Sequence, residues 1–174
     1  MAILVEVGRA AVATAIKAQS IHLAWGSGDP AWDASRPVES ASTTALTKEI
    51  GRRRVTQSMY CRIDPNGSIV VPGNRFEISN TPTKFLYLRF AYDFLDSPTE
   101  TIRELGVFIG TVPLSSQPAG NASANPNFPD YLLATGTGIT AEYSDPGQLL
   151  VLEYIDKLLR SATIRQQFEF VIQF

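Results

Sequence analysis

The stretch TKFLYLRFAYDF, residues 83–94, decides the fold class. Every second residue from position 86 is apolar, and these residues would share one face of an extended chain: Leu86, Leu88, Phe90, Tyr92 and Phe94. The alternate positions include Arg89 and Asp93. Because successive side chains of a strand point to opposite faces of its sheet, this pattern predicts a half-buried β-strand.

Further extended runs lie on both sides of this strand, and they are residues 20–25, 55–64, 101–110, 148–155 and 167–174. The tetrapeptide DPNG at 64–67 is a turn signal, and it predicts a hairpin between the runs that flank it. Residues 44–50 fit either one or two helical turns or a strand. Together the runs predict an all-β, mainly antiparallel β-sandwich of about six to eight strands.

Two segments depart from the strand pattern. EVGRAAVATAIKA, residues 6–18, is rich in alanine and has an acid at its start and a lysine near its end, so it predicts an N-terminal helix. Within residues 1–35 this helix could serve as an arm. Residues 112–146 are rich in Pro, Ser, Asn and Gly and predict a long inserted loop. We expect one domain over 1–174, which stays folded when residues 115–127 are deleted.

The composition argues against several classes of function. The net charge of −2 gives no basic field for nucleic acid. No apolar run approaches the roughly 20 residues of a membrane span. The chain has one cysteine, Cys61, and one histidine, His22. One cysteine cannot form an internal disulfide, and these two residues are too few for a Cys- or His-based metal site. A catalytic thiol would need His22 as its partner, and we expect a structural role for Cys61 instead. We therefore expect no catalytic residue, no metal and no cofactor, in a protein made in a cytosol.

A short motif carries a family resemblance. Ile102–Phe108 reads IRELGVF, Gly147–Leu150 reads GQLL, and an alternating strand follows at 167–174. The order I-x-E-(L/I)-G-(L/V)-F … G-x-L-(L/I) resembles tail-fibre, tail-collar and baseplate-associated proteins of tailed bacteriophages. In those proteins a β-sandwich attaches a spike, fibre or wedge to the tail. This chain departs from the pattern after Gly110, where the family has a tight turn and the long segment follows instead.

The resemblance implies a structural virion protein of a phage tail or baseplate, which acts by assembly and is not an enzyme. Its implied partners are other tail or baseplate proteins and further copies of itself, in a homo-oligomer or ring. Its implied location is the virion tail, after assembly in the host cytoplasm. One alternative is a β-sandwich module that binds carbohydrate through Trp25, Trp32, Asp29 and Asp33. A tail assembly factor is the other.

Several residues are candidates for an interface. Trp25 and Trp32 bracket a polar loop, and tryptophan is enriched at interface hot spots, although these rings could equally hold the loop on the core. Gly106, inside a strand, predicts a bulge or the close approach of another backbone from a neighbouring chain. Glu104 shares its face with apolar residues and needs a partner if buried, for which Arg89 or Arg103 are candidates.

The remaining candidates lie in three places. The run Arg52, Arg53 and Arg54 predicts a turn that faces solvent or a partner rather than a phosphate site. Phe128 and Tyr131 could anchor the long segment on a surface. Phe174 closes the last alternating strand, so we expect the C-terminus to be tied into the fold or into a partner.

Overall fold

The computed structural model describes residues 2–121, 123–136 and 138–174. This part of the chain forms one α-helix, α1 (Glu6–Lys17), and twelve strands. The strands are β1 (Ile21–Gly26), β2 (Glu49–Arg54), β3 (Gln57–Ile63), β4 (Ile69–Val71), β5 (Asn74–Ser79), β6 (Phe85–Tyr92), β7 (Thr101–Ile109), β8 (Val112–Pro113), β9 (Tyr131–Leu133), β10 (Tyr143–Asp145), β11 (Gln148–Leu159) and β12 (Gln166–Gln173). The prediction of a mainly antiparallel all-β chain with an N-terminal helix is confirmed.

The contacts within the chain group into two compact units. Unit 1 comprises Met1–Gln19, Val55–Phe90 and Gln167–Phe174, and unit 2 comprises Ser20–Arg54 and Ala91–Gln166. Among the described residues, no helix is long and apolar enough to cross a bilayer.

The sheet of unit 1 has the strand order β12-β6-β3-β5-β4. Strand β6 is the one that the alternation predicted. Leu86, Leu88 and Phe90 are completely buried on one face, whereas Arg89 on the other face is half-buried. The strand ends at Tyr92, two residues earlier than the pattern suggested, because the chain turns at Asp93.

The predicted hairpin around DPNG is not formed. Strand β3 pairs with β5 and β6, and β4 pairs with β5, so β5 lies between the two strands that the turn connects. The tight hairpin is β4–β5 instead, closed at Pro72-Gly73, where Gly73 has a φ of +89°. A positive φ at this place suits glycine, which has no Cβ to oppose it.

The main sheet of unit 2 has the strand order β11-β7-β1-β2-β9. The motif strand β7 is nearly central, and eight of its nine residues are buried. Residues 44–50 do not form a helix, because β2 begins at Glu49 and pairs with β1. Strand β11 runs four residues beyond the predicted 148–155, and it carries two shifts in register against β7.

The segment 112–146 contains regular structure as well as loop. Strands β8 and β10 pair in a small two-stranded sheet, and β9 pairs with β2 as a member of the main sheet. Residues 122 and 137 of this segment lie outside the described residues. The middle of the segment thus contributes a strand to unit 2, which the absence of periodicity in the sequence did not predict.

Candidate functional site

Trp25 and Tyr131, two of the predicted interface residues, are buried together in unit 2. The Trp25 ring stacks on Tyr92 with the ring centroids 3.6 Å apart, and its Nε1–H donates a hydrogen bond to the Tyr131 hydroxyl at 2.9 Å. Trp25 is completely buried and Tyr131 is 1% exposed. Burial raises the pKa of Tyr131 above the usual tyrosine range. The two rings therefore pack inside the chain, and Trp25 offers no platform for a sugar.

Arg52 is also an interior residue, with a side chain that is 1% exposed. Its Nε–H donates to Glu49 Oε1 at 2.8 Å and its Nη2 to Glu49 Oε2 at 2.7 Å, which makes a bidentate ion pair. Nη1 donates to Thr111 Oγ1 at 2.9 Å and to the Pro146 carbonyl at 2.6 Å. Every nitrogen of the guanidinium thus has a partner within unit 2, so the solvated-turn prediction is wrong for this arginine.

Two aromatic rings complete the surroundings of this guanidinium. Its central carbon lies 4.2 Å from the Phe108 ring centroid and 4.3 Å from that of Tyr143. A bulge in β2 brings Glu49 and Arg52 together. In its pairing with β1, Gly51 lies opposite Trp25, and the next residue of β1, Gly26, lies opposite Glu49, so Ile50 is the extra residue of the bulge. Without this bulge the two side chains would point to opposite faces of the strand.

The other two arginines of the run differ from Arg52. Arg53 is half-buried and forms an ion pair with Asp96 at 3.2 Å. The Asp96 carboxylate is completely buried, and desolvation raises its pKa although Asn127 donates a hydrogen bond to it at 2.7 Å. Arg54 is exposed at the end of β2. Only Arg54 thus keeps the solvated position expected of the whole run, and its role at an interface stays a prediction.

Glu104 of the motif strand is completely buried and binds backbone groups. Its carboxylate accepts hydrogen bonds from the N–H groups of Thr47 at 2.9 Å and Lys48 at 2.8 Å. An arginine partner was therefore the wrong expectation. Arg103 points to the other side of β7 and binds Asp33, with Nε–Oδ1 and Nη2–Oδ2 distances of 2.6 and 3.0 Å.

Gly106 of the same strand has no bulge in either of its pairings, since it lies opposite Ala24 in β1 and Leu152 in β11. A Cβ at this position would lie 2.9 Å from Leu149 Cδ1 and 3.0 Å from Leu46 Cδ2. The chain's own leucine side chains thus fill the space over Gly106. The expectation that the backbone of a neighbouring chain approaches Gly106 is therefore wrong.

A buried carboxylate organises the segment 112–146. Glu142 is completely buried and its Oε1 accepts from Gln117 Nε2 at 3.0 Å. Its Oε2 accepts from the Leu133 N–H at 2.9 Å and from the Asn125 amide. Asn121 donates to it at 3.3 Å. Buried charges need such partners, so these contacts hold the loops and strands of the segment to one another.

Trp32 lies in a short 3₁₀ helix, Pro30–Asp33, and is half-buried. Its ring centroid is 4.8 Å from that of Tyr154 in β11, so this ring holds the polar loop on the strand. Asp33 accepts from Arg103 and forms an ion pair with Lys157 at 3.2 Å. The Arg103 hydrogen bond is the main cause that lowers the pKa of Asp33 to about 2.

Two further interface candidates are only partly covered. Phe128 is half-buried and precedes Pro129 through a cis peptide bond. Phe174 is half-buried, and its N–H donates to the Lys84 carbonyl at 2.9 Å. For these residues, as for Trp32, Arg53 and Arg54, a role at an interface stays a prediction.

The structure reveals an exposed apolar surface that the sequence analysis did not identify. We call residues 3–12 the N-terminal apolar segment. Its exposed apolar side chains are Ile3, Leu4, Val5, Val7 and Val12. Helix α1 buries only Ala13. The signal was present in the sequence: the apolar run AILV, residues 2–5, precedes an alanine-rich helix, and Val7 and Val12 of that helix are five residues apart and do not share one face.

Contacts of α1 with the sheet of unit 1 fix the position of this segment. The Tyr60 hydroxyl donates to Thr14 Oγ1 at 3.0 Å, and Lys17 Nζ lies 5.2 Å from the Tyr60 ring centroid. Glu6 forms an ion pair with Lys84 at 3.0 Å. These polar contacts hold the helix in place while its valines face solvent, which is the arrangement expected of a surface that meets another molecule.

The titratable side chains that the structure describes do not gather into a metal site. Within residues 2–121, 123–136 and 138–174, no three His, Cys, Asp or Glu side chains form a group that could hold an ion. Cys61 is completely buried, and burial raises the pKa of its thiol to about 11. His22 is 1% exposed, and desolvation, with smaller effects from Arg52 and Arg54, lowers its pKa to about 3.

Comparison with known proteins gives one match over the whole length. A family model described as "Baseplate wedge 3 tail fiber network component" matches residues 1–174. No curated protein matches the chain. The family match extends the resemblance, which covered roughly the last 90 residues, to the N-terminal part of the chain, including the N-terminal apolar segment.

Proposed function

The chain belongs to the family of baseplate wedge 3 tail fiber network components of phage tails, and on that premise we propose that it acts by protein–protein assembly rather than by catalysis. Membership places it in the virion tail among other baseplate proteins. The finer statements, that it joins the baseplate in the host cytoplasm and that several copies form a homo-oligomer or ring, are part of this proposal.

The N-terminal apolar segment is the observation that carries the proposal. Val7 is 80% exposed on a helix that polar contacts already hold in place, and Ile3, just before that helix, is 83% exposed. Apolar side chains grouped in this way mark a surface that another protein covers. We infer that a second baseplate protein with an apolar groove covers this segment as an arm.

The buried charges support a structural role in a second way. Arg52, Glu104 and Glu142 each bind groups of the same unit, either side chains or backbone. Their hydrogen bonds stabilise strands and loops of that unit. The chain has a single cysteine and therefore no internal disulfide, as suits assembly in a reducing cytoplasm.

A matched pair of valine variants tests this proposal. Val7→Asp puts a charge on the N-terminal apolar segment, and Val38→Asp puts the same charge on a loop valine that is 87% exposed. A phage that lacks the chain is complemented with each variant, and the copies per purified particle are counted by mass spectrometry. Because burying an unpaired charge is costly, we expect Val7→Asp to reduce incorporation by about tenfold or more.

The control defines the result that contradicts the proposal. Val38→Asp should be incorporated as well as the unaltered chain, and both variants should melt at the same temperature as the unaltered chain. Equal incorporation of the two variants would show that the N-terminal apolar segment is not an assembly surface.

A further inference from the structure

Strand β12 forms a long edge of the sheet in unit 1, where β6 is its neighbour in the sheet order. The opposite edge of the same sheet is β4, with only three residues. In unit 2, the edge strand β11 has its Tyr154 N–H bonded to Glu39 at 3.0 Å. The edge strand β9 has its Leu133 N–H bonded to Glu142 at 2.9 Å. On each of these two edges, a carboxylate of the chain itself thus occupies a backbone N–H.

Alternation along β12 defines which backbone groups point to the outer edge. The Phe174 N–H donates to Lys84 O beside β6, so the residues at even positions direct their backbone groups towards β6. The residues at odd positions direct theirs outwards, and these are Gln167, Glu169, Val171 and Gln173. Residues 166–174 contain no proline and no lysine, which are the residues that commonly block pairing at an edge.

Apart from Glu169 and Val171, the polar and apolar positions of β12 are symmetric about its centre. In QFEFVIQ, residues 167–173, a glutamine stands at each end, and Phe170 lies midway between Phe168 and Ile172. When two such strands run antiparallel about Phe170, Gln167 is opposite Gln173 of the other copy and Phe168 is opposite Ile172. Glu169 is then opposite Val171, so no two like charges face each other.

We propose that two copies of this chain associate by antiparallel pairing of their β12 strands about Phe170, which joins their unit 1 sheets into one continuous sheet. This inference rests on the proposed assembly function and names the surface through which copies meet. This register agrees with the directions of the outward N–H and C=O groups of β12. The odd residues of one copy face the odd residues of the other, which gives about eight hydrogen bonds in four bonded pairs.

The central pair of this arrangement is Phe170 with Phe170 of the second copy. In an antiparallel ladder it is a non-hydrogen-bonded pair, in which the side chains lie closest together. Phe168, Phe170 and Ile172 are half-buried in the single chain and share one face. Pairing places them beside the same residues of the second copy, in a continuous apolar ladder that covers their outer sides. An eight-residue strand is about 26 Å long, so the contact is narrow and weaker than a standard interface.

Two double variants of exposed residues test the pairing and its register. Gln167→Lys with Gln173→Lys puts lysine opposite lysine at both ends of the paired strands. Gln167→Lys with Gln173→Glu puts opposite charges there instead. Both residues are exposed, so neither variant disturbs the core, and equal melting temperatures would confirm that. Sedimentation equilibrium is measured for the unaltered chain and both variants, up to roughly 100 μM, above the micromolar Kd of weak interfaces.

We expect the unaltered chain to form a reversible dimer, the Lys/Lys variant to associate at least tenfold more weakly, and the Lys/Glu variant to associate as tightly or more tightly. A chain that stays monomeric throughout overturns the inference, and so do two variants with equal dimer constants. Particle incorporation separates this outcome from the proposed function. A monomeric chain that still enters particles contradicts the β12 pairing alone, whereas a chain absent from particles contradicts the assembly function.

Discussion

Replacing Arg52 by alanine should destabilise unit 2 by several kcal/mol, because this arginine is an interior residue and not part of a contact surface. The change removes four hydrogen bonds that Nε and the two Nη atoms donate. It also leaves Glu49, whose side chain is 14% exposed, without its bidentate partner. The Tyr143 hydroxyl, 3.5 Å from Glu49 Oε1, is a poor substitute.

The magnitude follows from the burial of the pair. Breaking a buried ion pair by removal of one partner costs about 3–5 kcal/mol, since the other charge stays desolvated. The lost contacts with the Phe108 and Tyr143 rings act in the same direction. With a urea m-value of about 2 kcal/mol per molar, the midpoint of unfolding should fall by about 2 M.

The assay is urea unfolding followed by tryptophan fluorescence. Both tryptophans, Trp25 and Trp32, belong to unit 2, so their emission reports on the unit that contains Arg52. Arg54→Ala is the matched control, because it removes an exposed arginine from the same strand and should change stability by about 0.5 kcal/mol or less. If the urea midpoint of Arg52→Ala fell as little as that of Arg54→Ala, the reasoning would be refuted, and Arg52 would again be a candidate for an interface.

Three further predictions concern stability. Gly106→Val should lower the unfolding free energy by about 1–3 kcal/mol through overpacking, and Leu149→Ala should partly rescue that variant in the same urea assay. Asn125→Ala should lower the unfolding free energy by about 1–3 kcal/mol, because the Glu142 carboxylate loses a buried hydrogen-bond donor. An unchanged melting temperature would show that this hydrogen bond does not stabilise the chain. For His22 the pKa is lower in the folded state, so its contribution to stability is complete above pH 6.5 and is lost as pH falls towards about 3. His22→Leu should make the unfolding free energy depend less on pH between about 3 and 6.5, and an unaltered pH dependence would contradict the lowered pKa of His22.

The strands could be predicted from the sequence because side-chain alternation is a local property. The alternation predicted β6 and β12 as strands, and the alanine-rich run predicted α1 to within one residue of its end. Leu86, Leu88, Phe90 and Tyr92 are buried as expected, whereas Phe94 is exposed and the apolar residues of β12 are half-buried. The order of strands in a sheet is not local. Strand β5 lies between β3 and β4, so the turn signal at DPNG was correct as a turn and wrong as a hairpin.

The partners of the buried charges could not be predicted, because they are distant along the chain. Arg52 binds Thr111 and Pro146, and Glu104 binds backbone groups of residues 47 and 48. A bulge at Ile50 also reverses the face on which Glu49 lies, and nothing in EIGRRR signals it. The sequence therefore placed Arg52 in a turn facing solvent or a partner and left Trp25 open between the core and a binding surface, although both are interior.

The same limit applies to the segment 112–146. Its composition suggested a loop whose residues 115–127 could be removed. In the structure, that deletion would remove three side chains that bind Glu142: Gln117, Asn121 and Asn125. We now expect the deletion to destabilise unit 2, since a carboxylate would stay buried without these donors.

The measurement that tests the central claim most directly is a density-gradient separation of lysate from the native source, with quantitative mass spectrometry of this chain. A structural baseplate component should sediment with intact particles, and its ratio to the other baseplate proteins should be constant from one preparation to the next. Its presence only as a small free species, with none in the particle fractions, would contradict the account and favour an assembly factor.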